Sequence, residues 1–548
     1  MLGSRLTLVG IAVAFTLLNA LKPLHVDDTY YYFHARQVAS HPLDPHGFLV
    51  FWHERPEPAS DRVAPPVLPY WLAPAVWAFP DAPAVWKLWL FPFVMVFVAA
   101  LYALLRRFAP GLEFPLLVLT IASPAFLPSL NLMLDIPALG LGMLALLLLM
   151  RSGEAFEDAR SGQGRRWAAS ALWAGGAGLL AALSAQTKYT GLLVPAVLLA
   201  HAVLHRRLRL WVLATAVAAT VFVGWELFTA IQYSTSHFAR HIFRRAEPLE
   251  SKLPLVIALC SVLGGAAPGL ASFGLLTRGA QARATAFAIA ATLLGFVLLA
   301  LMPNTGPGAA TLILGTIGAA LVASLSWASW RLWCRAQPDD TSASRFLVLW
   351  LVLETAGHLG LSPFPAVRRV LGLVVVATLV LGRLASRACS GARRRLAWKA
   401  AAAGAVLGSL FWAVDFLEAS AEKRAAEDAA AWLRERAGPG LERVFFAGHW
   451  GFQYYAERAG MHPIVAGRFS GATPLRAGDW LVVPSQHVDQ QQIRVDPLRT
   501  ELVHEIRIED GLPLATLPGF YAGDTPLRSL AGPRIQVAVY RATADFAP

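Results

Sequence analysis

Two adjacent carboxylates, Asp27 and Asp28, stand where a membrane-length apolar run ends, and three tyrosines follow them at 30–32. Ionised carboxylates at the edge of hydrocarbon are costly unless they are solvated or bound to something. Further along, other ionisable side chains stand at the ends of apolar runs: Asp135, Lys188, Glu226, His237 and the pair Arg368-Arg369. Together they contain the parts for sugar transfer from a phosphate leaving group. That reaction builds oxocarbenium character on the sugar and negative charge on the departing phosphate. A carboxylate then takes the acceptor hydroxyl's proton, and Lys or Arg holds the phosphate. Asp27 or Asp28 can serve as the base, and Lys188 with Arg368 as the phosphate clamp.

Each residue also has a bland use. Asp135 before Ile136-Pro137 could simply cap a helix start. Lys188 could snorkel from a helix end, and Glu226 could be a solvated helix-end residue. His237 alone says little. Glu354 and His358, four residues apart, could form a buried polar pair. Arg368-Arg369 on an external segment runs against the usual charge bias and calls for an anionic partner.

The elements that would position these groups are membrane helices. Of the 548 residues 56% are hydrophobic and only 15% charged, and the mean hydropathy is +0.51. Soluble domains carry about 25% charged residues, so this is a polytopic α-helical membrane protein. Apolar runs able to cross about 30 Å of hydrocarbon recur from 4–21 to 398–414, including 112–128, 253–277 and 285–302; we expect about thirteen. The first of them, lacking a small-residue cleavage site before Lys22, reads as a retained anchor. The net charge of +12 comes from arginines clustered between apolar runs, as at Arg106-Arg107 and Arg206-Arg207. These clusters fall on alternate loops, which places those loops and the N-terminus in the cytoplasm; no nucleic-acid motif accompanies them. The loop 22–85, the candidate residues and everything after about 415 are then external. Cys260, Cys334 and Cys389 are too dispersed to read as a disulfide framework or a zinc site.

Within loop 22–85, the Pro-rich stretch 65–74 is too short to span and predicts an interfacial helix. We divide the chain into a membrane domain, 1–415, and a small external α/β domain, 416–548. In the latter, Glu418 to Arg436 predicts an amphipathic helix stopped by Gly438-Pro439-Gly440, with strands near 444–447 and 480–483 and a helix over 451–460. The aromatic stretch from His449 to Tyr455 offers rings of the kind that stack on sugars, and a helix start with core aromatics explains it equally well.

These motifs resemble the C-type (GT-C) glycosyltransferases of the protein O-mannosyltransferase and aminoarabinose transferase group, glycosyltransferase family 39-like. Asp27-Asp28-Thr29-Tyr30-Tyr31 is similar to that group's Asp-Glu-x-x-Tyr loop, with Asp in the second place. Met133 to Pro137 resembles its Met-x-Asp-x-Pro turn, and Thr187-Lys188-Tyr189 its Thr-Lys-Tyr element. Pro65-Pro66-Val67-Leu68 resembles its His-Pro-Pro-Leu helix, with Ala64 for the His. Val367-Arg368-Arg369-Val370-Leu371-Gly372 is similar to Ala-Arg-Tyr-Leu-Leu-Pro, with Arg for Tyr and Gly for Pro.

The resemblance implies a GT-C-like hexosyl- or pentosyltransferase, and the Ala- and Arg-rich composition suggests a bacterial inner membrane, with the external domain in the periplasm. It implies a polyprenyl-phosphate sugar donor, inversion at the anomeric carbon, and a lipid, glycan or protein acceptor. Asp27, Asp28 and Asp135 are the expected catalytic set; Tyr31, Lys188, Glu226, His237 and Arg368 are expected at the substrate. The three aspartates could also hold Mg²⁺ or Mn²⁺. The rival readings are a transporter or flippase of a lipid-linked sugar, and a membrane scaffold without catalysis.

Overall fold

The computed structural model describes residues 2–62, 64–160, 166–244, 252–276, 307–335, 340–387, 391–485 and 491–548. Helices dominate up to Ala437 and strands prevail after it. Among the described residues, six helices are long and apolar enough to cross a membrane, or seven if one bent pair counts as a single span. Shorter apolar helices, such as Ser4–Ala20 and Leu371–Ser386, pack among them. The expected span at 285–302 lies outside the described residues.

The helix Leu2–Ala20 turns Leu6 and Leu17 outward and buries Ala12 and Phe15. The following loop folds back on the bundle through the helix Asp28–Ser40, a short hairpin pairing Leu49–Phe51 with Pro56–Pro58, and the helix Val67–Ala78. That last helix stands at the stretch expected to lie at the interface.

Three expectations change. The run 112–128 is not a span. It forms the nine-residue helix Glu113–Ile121, about 14 Å long at 1.5 Å per residue, and Pro124 closes it off. Its leucines 116, 117 and 119 are buried against protein; hydropathy reports that a run is apolar, not whether lipid or protein surrounds it.

The run 253–277 is two helices, Leu253–Ala266 and Pro268–Leu276, meeting at 90°. Pro268 has no amide hydrogen to continue the ladder. The Ala266 carbonyl at the break instead accepts the Ala125 amide at 2.9 Å, which satisfies a backbone group that hydrocarbon would leave bare.

The expected break between a last span and an amphipathic helix is absent. Gly391–Ala437 is one helix of 47 residues, about 70 Å long. Neither Gly nor Pro interrupts it after Gly408. Asp415, Glu418 and Glu422 recur at helical spacing on one buried face, and each takes its partner from elsewhere in the chain.

After that helix comes a five-stranded sheet in the spatial order His462–Pro463, Val444–Phe446, Trp480–Pro484, Ile535–Ala542, Thr500–Ile508. The first three strands run parallel and the last three antiparallel. The helix Trp450–Ala459 joins the first two in sequence. One continuous apolar core includes Leu24 of the first loop, Phe411 of the long helix, and Tyr455 and Tyr521 of the tail, so the tail is packed onto the bundle. The aromatic stretch expected to stack on sugars is part of that packing. Trp450, Phe452, Tyr454 and Tyr455 are buried, Tyr454 sits edge-on to Tyr32 at 5.2 Å, and His449 hydrogen-bonds the His53 carbonyl at 2.7 Å.

Candidate active site

The turn 22–28 is held by Asp415, the Pro128 carbonyl and Lys87, and this decides where its two carboxylates point. Lys22 Nζ donates to Asp415 (2.5 Å) and to the Pro128 carbonyl (2.7 Å). Lys87 Nζ donates to the Lys22 and Pro23 carbonyls at 2.9 and 3.0 Å. Val26 is driven to φ +50°, a left-handed conformation that a β-branched residue adopts only under constraint.

Asp28 is fully buried and its oxygens are taken. Oδ1 accepts the Leu132 amide at 2.7 Å, and Oδ2 accepts the His25 amide at 3.1 Å and pairs with Lys87 Nζ at 3.0 Å. Asp27 faces the other way, is partly accessible, and pairs with Arg368. The two neighbours therefore do different things: Asp28 ties the loop to the bundle, and Asp27 presents its carboxylate.

His25 adds a pH-dependent tie to the tail. Burial alone would lower its pKa, and Lys22 also lowers it. Glu422 at 2.9 Å, with Asp415 beyond, outweighs them and holds it above the ordinary histidine value. A raised folded-state pKa contributes stability that is complete below the unfolded value of about 6.5 and is lost as pH rises through the folded value. The wild-type protein should therefore lose melting temperature as pH climbs through that upper window, whereas His25→Gln should show a flatter profile there. Parallel slopes for the two proteins would refute this role.

Asp135 opens the helix Asp135–Arg160 and pairs with Lys188. Lys188 is an extended residue between the helix Arg166–Thr187 and the turn Tyr189–Leu193. Burial lowers its pKa, and Arg369 and Arg368 lower it further, while Asp135 opposes them. Arg368 lies in the short turn Val367–Arg369, with Nη1 on Asp27 and Nε donating to the Tyr521 carbonyl at 3.1 Å. Burial would reduce its pKa, but Asp27 and Asp135 more than compensate, so it stays cationic. The Tyr31 phenol is buried beside Asp27, Arg368 and Asp135; burial first, then Asp27, push its pKa up and keep it a proton donor.

Asp135, Lys188, Arg368 and Arg369 line the mouth of a groove. Its walls are apolar, with Leu139, Met143 and Leu146 on one side and Val194, Val197 and Leu371 on others. Its cavity volume is about 100 Å³, within about 900 Å³ of space between atoms that includes open solvent. Farther in are Glu354, which accepts from Trp350 Nε1 at 3.1 Å, and His358. Beside the apolar slot Lys188 pairs with Asp135 and Arg368 pairs with Asp27, and Arg369 lines the groove with them.

Two of the expected substrate residues form a separate cluster. Lys188 turns toward Asp135, while its neighbour Tyr189 turns toward His237, with Nδ1 at 2.5 Å from its hydroxyl. The Glu226 carboxylate accepts Ser236 Oγ (2.8 Å), the Phe238 amide (2.9 Å) and Gln186 Nε2 (3.2 Å). His237 Nε2 also donates to the Arg62 carbonyl at 2.8 Å, and burial lowers its pKa. With these partners taken, Glu226 and His237 bind the helix His237–Arg244 to the turn at Tyr189 and to the first loop.

The three aspartates do not converge as a metal-holding set. Asp27 is neutralised by Arg368, Asp28 by Lys87 and Asp135 by Lys188. Among the described residues no group of three or more His, Cys, Asp or Glu is arranged to hold an ion. Lys87 and Tyr521, both in contact with this centre, were missed in the sequence. A lysine inside the apolar run at 86–105 is a signal that could have been used; Tyr521 gave none.

No protein-family model and no curated protein sequence matches the chain. Among solved structures, the Archaeoglobus fulgidus oligosaccharyltransferase in complex with Zn and sulfate aligns with a TM-score of 0.50 at 13% identity, over 87% of this chain and 67% of that one. The fold is of the GT-C type. ArnT from Cupriavidus metallidurans aligns with a TM-score of 0.40 in its apo state and 0.39 bound to undecaprenyl phosphate, at 16% and 15% identity, over 88% of this chain and 93% of those.

Proposed function

We propose that this protein transfers a sugar from a polyprenyl-phosphate donor to a lipid, glycan or protein hydroxyl at the external face of a bacterial inner membrane. The observation that carries the reading is the apolar groove capped by Lys188, Arg368 and Arg369, with Asp27 alongside. The apolar walls suit an isoprenoid chain lying along them, and the cations suit its phosphate.

In this reading Asp27 takes the proton of the acceptor hydroxyl as that oxygen bonds to the anomeric carbon from the face opposite the phosphate. The bond from the anomeric carbon to the phosphate oxygen breaks, its electron pair leaves on the phosphate, and configuration inverts. Arg368 passes from Asp27 to the phosphate as negative charge develops there, which also frees Asp27 to accept the proton. Lys188 makes the same exchange from Asp135. Tyr31 supplies a neutral hydrogen-bond donor beside the reacting oxygens. No step is routed through a divalent ion: Asp28 stays paired with Lys87, and among the described residues no group of three or more His, Cys, Asp or Glu is arranged to hold one.

The bent pair Leu253–Ala266 and Pro268–Leu276 is the feature that favours transport instead, since transporters bind their cargo at broken helices. Here the Ala125 amide takes the Ala266 carbonyl at the break, one of the backbone acceptors such a site would use.

Lipid mass spectrometry on native-host membranes tests the transfer reading. A deletion strain and one carrying Asp27→Asn should both accumulate a polyprenyl-phosphate sugar and lose one glycosylated product, whose identity names the acceptor. An unchanged lipid profile in the deletion strain would end the transferase reading. Lys188→Gln should raise the donor KM about tenfold or more, as expected for loss of one charge-assisted phosphate contact; titration of purified protein with the accumulated donor lipid checks this.

A further inference from the structure

The tail segment 516–527 is not an exposed loop of an appended domain. Leu517, Phe520, Tyr521 and Leu527 have at most 1% of their surface exposed. Each side of the segment is fastened to the membrane bundle. Glu418 on the long helix accepts the Thr516 and Leu517 amides at 3.1 and 3.2 Å. Ser261 Oγ in the bent helix pair donates to the Asp524 carbonyl at 2.7 Å, and Thr311 in the helix Pro307–Cys334 meets Thr525 at 2.7 Å. The Tyr521 hydroxyl donates to Asp415 at 2.8 Å and accepts from Asn131 at 2.9 Å, four residues before Asp135. At the centre of these attachments the Tyr521 carbonyl accepts Arg368 Nε.

We infer that this segment is a wall of the reaction centre and that Tyr521 is a positioning residue that acts through Arg368. The inference rests on the sugar-transfer reading, because it assigns Arg368 the exchange between Asp27 and a phosphate. A guanidinium has five donors in one rigid plane. Fixing Nε on the Tyr521 carbonyl leaves the two terminal nitrogens to swing between Asp27 and the groove mouth about a defined pivot. Without that anchor the arginine's flexible stem samples many positions, and anion binding has to restrict it again. Docking of the tail therefore sets the phosphate affinity of a site that lies in the membrane bundle.

Two glycines allow the docking to be loosened without touching either residue. A Cβ on Gly265 would lie 2.7 Å from the Pro526 ring, and one on Gly519 would lie 1.8 Å from the Thr525 carbonyl. Gly265→Leu presses on the segment from the bundle, and Gly519→Val distorts it from within. Ser261→Ala with Thr311→Val removes two attachments and adds no bulk. Full-length purified protein is titrated with undecaprenyl phosphate and, separately, with undecaprenol, while melting is followed in parallel.

We expect the glycine variants to bind the phosphate about tenfold more weakly, and the polar double variant about threefold more weakly, with undecaprenol binding unchanged. Tyr521→Phe keeps the carbonyl and should fall between wild type and these variants. Adding Arg368→Gln to Gly265→Leu should cost nothing beyond Arg368→Gln alone, since both disable one contact. Equal losses for phosphate and alcohol would show general structural damage and overturn the inference. So would wild-type phosphate affinity in the polar double variant, which also decides the matter if the glycine variants do not fold. A wild-type protein with no preference for the phosphate over the alcohol would instead overturn the sugar-transfer reading.

Discussion

Asp27→Asn should lower kcat by about a hundred- to ten-thousandfold, the range that a positioned general base supplies, and should leave the donor KM unchanged or lower. The direction of both effects follows from the pairing with Arg368. Asparagine fills the same space and still accepts a hydrogen bond, so the turn at Val26 and the Asp28 anchor beside it keep their shape. It cannot take a proton from an attacking hydroxyl. It also holds Arg368 less tightly than a carboxylate does, so a donor phosphate competes for that guanidinium more easily. Loss of turnover combined with tighter donor binding separates a missing base from a misfolded site, which would lose both. Steady-state kinetics on the purified variant provide the check. A kcat within tenfold of wild type would remove Asp27 from the base role and move the transport and scaffold readings ahead.

The second large effect falls on stability. Asp28→Ala or Lys87→Met alone should destabilise the protein by about 3–5 kcal/mol, the cost of leaving one member of a buried ion pair without its partner. Both side chains are at most 1% exposed, and between them they hold the Leu132 amide, the His25 amide and the Lys22 and Pro23 carbonyls. The double variant should be less damaging than the two single effects added together, because no unpaired charge remains. Thermal unfolding of the four purified proteins measures this cycle. If Asp28→Ala melts like wild type yet is inactive, Asp28 acts on substrate, and the division of labour between the neighbouring aspartates drawn here is wrong.

That division shows how far the sequence could go. Asp27, Asp135, Lys188 and Arg368 were legible because an ionisable group beside an apolar segment carries a large desolvation penalty. Their pairing was not legible. Asp27 finds Arg368 341 residues away, and Asp135 finds Lys188 53 residues away. A set of three carboxylates looks in sequence like a cation site; in space each has a protein cation of its own. Glu226 and His237 meet the same sequence criterion as Lys188, yet the turn at Tyr189 sends successive side chains to opposite sides and puts them in a different network.

The sequence by itself determined the membrane class, the predominance of helix up to about residue 415, two of the tail's strands, near 444–447 and 480–483, and most of the charged groups around the groove. These follow from local properties: apolarity over twenty residues, alternation over five, and the cost of a charge next to hydrocarbon. Only the tertiary structure decided that 112–128 is enclosed by protein, that 253–277 bends at Pro268, and that the chain passes through Asp415 without a break. Tertiary structure also brought the Tyr521 carbonyl to Arg368 and buried Asp28 against Lys87 and the Leu132 amide. Each of these depends on which distant segment supplies the missing neighbour, whether a leucine face, an amide for a freed carbonyl or a lysine for a buried carboxylate. That information lies in the packing of the whole chain and in no window of it.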